Sequence, residues 1–122
     1  MTVSLQIDIP GKPKPKARPR MIRNKIWTPS TPHENDVAMH MIQHQGAFKG
    51  QKGLAFLCWF YGADTRADGM SLWVLARDAA ITAEVIDDVS SIVYGAFEQR
   101  RTDAESNPFA DECSTRVRIG EW

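Results

Sequence analysis

Apolar and polar residues alternate along VSLQIDI at 3–9, so Val3, Leu5, Ile7 and Ile9 share one face of a half-buried strand. Pro10 and Gly11 end it. The next stretch, GKPKPKARPR at 11–20, has no apolar period, and Pro13, Pro15 and Pro19 exclude both helix interior and central strand. MIRNKIW at 21–27 fits a short hairpin about Asn24. T-P-H-E at 31–34 opens a helix, with Thr31 as cap, Pro32 at the first helical position and Glu34 closing a capping box. Val37, Ala38, Met41 and Ile42 continue it on one stripe, and Gly46 stops it.

GLAFLCWFY at 53–61 is an apolar run of strand length, and GADTRADG at 62–69 is a polar loop. From Met70 to about Val85 the helical period returns, with Leu72, Leu75, Ala76, Ala79 and Ala83 on one face. Trp73, Val74, Ala80 and Ile81 widen that face until the helix must be buried on two sides. A second subunit could supply one side, or the domain's own sheet and arm could. Asp87-Asp88 makes a turn, 89–100 reads as a strand, 102–112 as an acidic loop and 113–119 as the last strand. The order strand, helix, strand, helix, strand, strand predicts one α/β domain over 1–122, a small mixed sheet with helices packed on it, and a basic extended arm at 10–31.

Composition sharpens the arm. Hydrophobic residues at 43% and charged residues at 25% are ordinary for a globular chain, and the formal net charge is zero. Yet residues 11–25 carry Lys12, Lys14, Lys16, Arg18, Arg20, Arg23 and Lys25 with no acid, which leaves eight basic against fifteen acidic residues elsewhere. Basic residues spaced by prolines can track a polyanion while losing little entropy, and Trp27 beyond them can stack on a base. A solvated basic loop accounts for the same residues, and the P-x-x-P spacings also fit a ligand for an SH3-type groove. No apolar run reaches membrane-spanning length and the start lacks the layout of a signal peptide, so the expectation is an intracellular, cytoplasmic protein. Cys58 and Cys113 form no C-x-x-C and read as structural thiols.

Asp64, Asp68, Asp78, Asp87 and Asp88 are the candidate metal-side carboxylates, because two of them close in space can hold Mg²⁺ for phosphate chemistry. Asp68 as a helix cap and Asp87-Asp88 as turn residues fit equally well. Asp88 meets Asp68 only if the strand after the second helix returns beside that helix's start. His40 and His44 have metal-ligand spacing without an evident third ligand. No Gly-rich phosphate loop and no G-x-S-x-G elbow is present.

The ordered set I-P-G-K-P-K-P-K-A-R-P-R at 9–20, W-T-P at 27–29, a helix bearing Glu34 and the later aspartates resembles the RusA-type Holliday junction resolvases, small endonucleases common in phages and prophages. The resemblance implies a RusA-like domain, Mg²⁺-dependent cutting of branched DNA in recombination and repair, and a homodimer. It carries catalytic roles onto Asp68, Asp87 and Asp88, metal binding onto Asp68 and Asp88, and DNA binding onto Lys12, Lys14, Lys16, Arg18, Arg20, Arg23 and Lys25. The family's D-x-D-N-L-x-K-A aligns with D-G-M-S-L-W-V-L at 68–75. Met70 stands at the second aspartate, Ser71 at the asparagine, Val74 at the lysine and, downstream, Ser90 at a glutamine. Loss of such an electrostatic group costs about 10²–10³ in rate. Three readings follow: a junction endonuclease, a non-catalytic descendant that binds DNA through the arm, and a protein-binding module using the apolar second helix and the acidic loop.

Overall fold

Alternation in the first strand and the apolar run at 54–61 build one sheet, because each must bury a face that its own backbone leaves bare. The computed structural model describes residues 2–17, 20–22, 25–27 and 31–122, with backbone alone for 20–22 and 25–27. Its elements are β1 (Thr2–Pro10), β2 (Arg20–Ile22), β3 (Lys25–Trp27), α1 (Thr31–Met41), β4 (Leu54–Tyr61), α2 (Gly69–Thr82), β5 (Ile92–Arg100) and β6 (Ser114–Glu121). Four strands form a mixed sheet in the order β1-β6-β4-β5, and β2 pairs with β3 as a separate hairpin. The expected α/β architecture is the one observed.

β6 runs antiparallel to both β1 and β4, while β5 runs parallel to β4. A parallel neighbour needs a crossover, and α2 supplies it. Register aligns Ile7 with Val117, Val117 with Cys58, Ile119 with Phe56 and Phe56 with Gly95, so one face of the sheet is continuous. Both helices pack there. Phe56, Phe60, Leu72, Leu75, Ala79, Val117 and Ile119 are buried in a single core, each large apolar side chain contributing about 1.5–3 kcal/mol. α1 packs against α2.

Two glycines make the α2–β5 contact possible. A Cβ on Gly69 would lie 2.2 Å from the Phe97 ring, and one on Gly95 would lie 2.4 Å from the Trp73 ring. Trp73 lies over Gly95, donates its indole N–H to the Phe56 carbonyl at 3.0 Å and meets the Phe56 ring edge-on. The apolar breadth of α2 is therefore consumed within the chain, by the sheet on one side and by α1 and the arm on the other.

Two boundaries differ from the sequence expectation. α2 ends at Thr82 rather than near Val85, because Glu84 turns into the left-handed region at φ 58°. Its carbonyl accepts from the Gly46 amide and its carboxylate from Gln45, which hold that turn. β5 begins at Ile92 because residues 89–91 form a 3-10 turn capped by Asp88. The acidic loop is ordered by Asn107, 7% exposed. Its amide donates to the carbonyls of Thr102, Ala110 and Glu112, and its oxygen accepts from the Phe109 amide and the Ser114 hydroxyl.

Candidate nucleic-acid interface

Proline spacing predicts an extended arm; residues 12–17 form neither helix nor strand, and the segment is tied to the rest of the fold. Gly11, at φ +106°, turns the chain out of β1 and donates its amide to the Cys113 carbonyl at 3.0 Å. Pro13 is buried and lines a small crevice with His33, Val37, Leu72 and Leu75, between α1 and α2. The Lys16 amide donates to the Ser71 carbonyl at 2.9 Å.

Lys16 carries the strongest tie. Its ammonium bonds the Glu34 carboxylate on α1 and lies 3.4 Å from Asp78 on α2. The Glu34 side chain keeps only 12% of its surface exposed, so this pair is screened less than one on the open surface. Burial works against the charged amine, but the hydrogen bond and charge of Glu34, then of Asp78, outweigh it and hold Lys16 above its ordinary 10.5. Lys16, expected among the DNA contacts, is engaged inside the protein. Lys12 and Lys14 remain exposed. Partial burial, helped by the Lys14 charge and opposed by Asp36, depresses the pKa of His33.

The hairpin expected about Asn24 is present as β2 and β3, with Ile22 opposite Lys25. Arg18 and Arg23 lie outside the described residues, as do the side chains of Arg20, Lys25 and Trp27.

The three candidate catalytic aspartates are divided between the two ends of α2, Asp68 at its start and the adjacent Asp87 and Asp88 past its far end. Asp68 caps α2, accepting from the Met70 amide at 3.1 Å and the Ser71 hydroxyl at 3.1 Å. Asp87 accepts from the Gly50 amide at 2.8 Å. Asp88 caps the 3-10 turn before β5, accepting from the Ser90 amide at 2.8 Å and the Ser90 hydroxyl at 2.5 Å. That side-chain bond is the main reason its carboxyl sits below the ordinary 3.8; slight desolvation opposes it, while the Ser90 amide and Lys52 add to it. β5 does return beside α2, but Phe97 and Gln99 are what it brings to the helix start, with Phe97 against Gly69 and the Gln99 amide 3.4 Å from the Ala67 carbonyl. Asp88 lies past the opposite end. Fourteen helical residues at the usual rise put about 21 Å between those ends.

Within one chain the donors therefore do not fit a shared Mg²⁺. Beside Asp68 stand exposed Met70 and half-buried Val74, not a second carboxylate and an ammonium. Among the described residues no group of three His, Cys, Asp or Glu side chains is placed to hold a metal ion, His40 and His44 included. Nor, among them, is any helix long and apolar enough to cross a membrane. Cys58 is buried, which raises its thiol pKa well above 9.0, and Cys113 is half-buried; neither forms a disulfide. The sequence matches no protein-family model and no curated protein.

Sequence reasoning missed two working side chains. By sequence Glu34 closes a capping box and Asp78 stands among the candidate metal-side carboxylates, yet both converge on Lys16. Their spacing along the chain carries no sign of this, since the three lie on three different segments. Asn107 was read only as part of an acidic loop, although an Asn-Pro pair in a loop is a local signal for an ordered turn.

Proposed function

We propose that the chain is a RusA-like DNA-binding protein that grips branched DNA through its basic arm, and that it has lost the metal-dependent cleavage of the family it resembles. One observation carries the binding half. Residues 11–17 are tied down by Gly11 to the last strand and by Pro13 and Lys16 to the helix layer, with Lys12 and Lys14 exposed. Charges on a pre-ordered segment contact phosphates without the cost of ordering a free chain. Loss of cleavage is supported by Asp68 and Asp88 capping turns at opposite ends of α2.

A synthetic four-way junction, mixed with the protein at low salt with and without Mg²⁺ and scored for gel shift and nicking, tests both halves. The expected result is a shift without nicks, weakening with salt at a slope of about −0.9 per phosphate neutralised. Lys12→Ala/Lys14→Ala should flatten that slope by roughly two contacts. Affinity indifferent to salt would remove the arm from the interface. Symmetric Mg²⁺-dependent nicks that Asp88→Asn abolishes would restore the endonuclease.

A further inference from the structure

β5 is the terminal strand of its sheet, paired with β4 and, among the described residues, with nothing on its other side. Such an edge presents a row of unpaired backbone groups, which soluble proteins usually guard with lysine, proline or inward charges. From Ile92 to Phe97 β5 has none of these, whereas the opposite edge, β1, has Asp8 and Pro10. Gly95 and Phe97 meet α2, so Tyr94, Ala96 and Glu98 face the other way. Together with Leu57, Trp59 and Trp122 they line a groove of about 380 Å³. Tyr94 is 41% and Trp122 62% exposed, and their rings stack at 4.0 Å. Among the described residues Glu98 is the one charged side chain lining the groove; its Oε2 accepts from Arg100 at 2.7 Å, and its Oε1 accepts from no described group. Ala96 leaves a gap between the Tyr94 ring and that carboxylate.

A ring and a carboxylate on either side of a small residue suit one ligand chemistry. A guanidinium stacks on aromatic faces and pairs with carboxylates in a planar fork. The surroundings favour the same sign of charge. Residues 87–112, which contain β5 and both its flanks, hold seven acidic residues against Arg100 and Arg101, and Arg101 is already paired with Asp103 at 3.1 Å. The sheet contains one instance of the match. Arg118 on β6 stands opposite Leu57 on β4 and lies over the diagonal Trp59 ring at 5.1 Å. Trp59 thus takes its cation from the next strand, and Tyr94, on the edge, has no next strand.

We propose that β5 accepts a basic, extended segment of another protein as a fifth, antiparallel strand, with an arginine opposite Ala96 set between Tyr94 and Glu98. Backbone pairing along the bare edge supplies affinity, and the groove selects the arginine. The site lies on the sheet face away from the arm, whose Pro13 is seated between the helices, and it is independent of DNA binding.

The probe is the capped peptide TTTRTVT, titrated into the full chain up to about 1 mM and followed by heteronuclear NMR. The expected result is a saturable shift of the 94–100 amides, with hydrogen exchange along β5 slowed in step. TTTETVT should give none. Glu98→Gln should weaken binding about two- to fivefold, and Tyr94→Ala about two- to fivefold. Glu98→Lys should reverse the preference in favour of TTTETVT. Met39→Gln, on the exposed side of α1, should change nothing. Of the two alternately N-methylated forms of the peptide, only one keeps the amides that face β5, so one should bind and the other not. Circular dichroism checks that each variant is folded. Absence of binding by about 1 mM overturns the proposal, as does equal binding of the arginine and glutamate peptides or of the two methylated forms. A chain that closes this edge with a second copy, protecting the same amides without peptide and excluding it, overturns it too.

Discussion

The two faces of the sheet use similar residues to opposite ends. On the helix side, Phe56, Phe60, Val117 and Ile119 are at most 2% exposed, sealed by two helices and an arm. On the other side, Trp59 lies half-buried under the Arg118 guanidinium at 5.1 Å, and Tyr94 and Trp122 stack in the open. Aromatic content does not distinguish the faces; the presence of a second layer does. Burial is complete along the first face at those four positions, whereas on the second Ala55 and Tyr61 are closed off, and around Trp59, Tyr94 and Trp122 burial energy waits for whatever next covers the sheet.

Truncation on each face gives the largest expected contrast. Phe56→Ala should cost about 3–5 kcal/mol, as a cavity under a closed layer, and Trp59→Ala about 1–2 kcal/mol, as lost contacts at a half-covered site. Urea unfolding of both variants measures this, and equal losses would erase the distinction between the faces. Gly95→Ala comes next, at about 1–3 kcal/mol, since its methyl would enter the space of the Trp73 ring. Pairing it with Trp73→Leu should return part of the loss; a double variant weaker than the sum of the two singles would mean that the ring is not the obstacle.

The layer is also pinned from outside. Lys16→Met should cost about 1–2 kcal/mol, because it leaves the mostly buried Glu34 unpaired, whereas Lys14→Met should stay within about 0.5 kcal/mol. The pKa of Lys16 is raised on folding, so its contribution is complete below 10.5 and disappears as pH climbs through the folded value. Thermal midpoints across that range check it. Asp88 provides the smallest effect, with the opposite sign. Its pKa is lowered on folding, so its support is present above 3.8 and lost as pH falls through the folded value. Ser90→Ala should remove most of that acid dependence, and an unchanged acid-unfolding curve would mean the Ser90 bond is not its source.

Much of the fold was legible because its signals are local. Alternation at 3–9, the apolar run at 54–61 and the period of α2 each depend on neighbours two to four positions away. Misplaced boundaries had causes further off, as with Glu84, turned and held by Gln45 and Gly46 across a loop. For the candidate site, the absence of helix and strand from residues 12–17 could be read from the prolines. Which of its lysines faces outward could not, since Glu34 and Asp78 come to Lys16 from different helices.

Carboxylates are the sharpest case. The capping roles of Asp68 and Asp88 follow from bonds to residues two and three positions on, and such bonds are visible in a chain read end to end. Their separation is not. It depends on which residues of β5 return to the start of α2, and parallel pairing with β4 selects Phe97 and Gln99. Sequence by itself determined the elements, the segregated charge of the arm and the turns, because period, proline geometry and capping act over a few residues. Tertiary structure alone decided which lysine is tied, which aspartates are kept apart and which aromatic face is left open, because packing brings together side chains whose distance along the chain carries no trace of their distance in space.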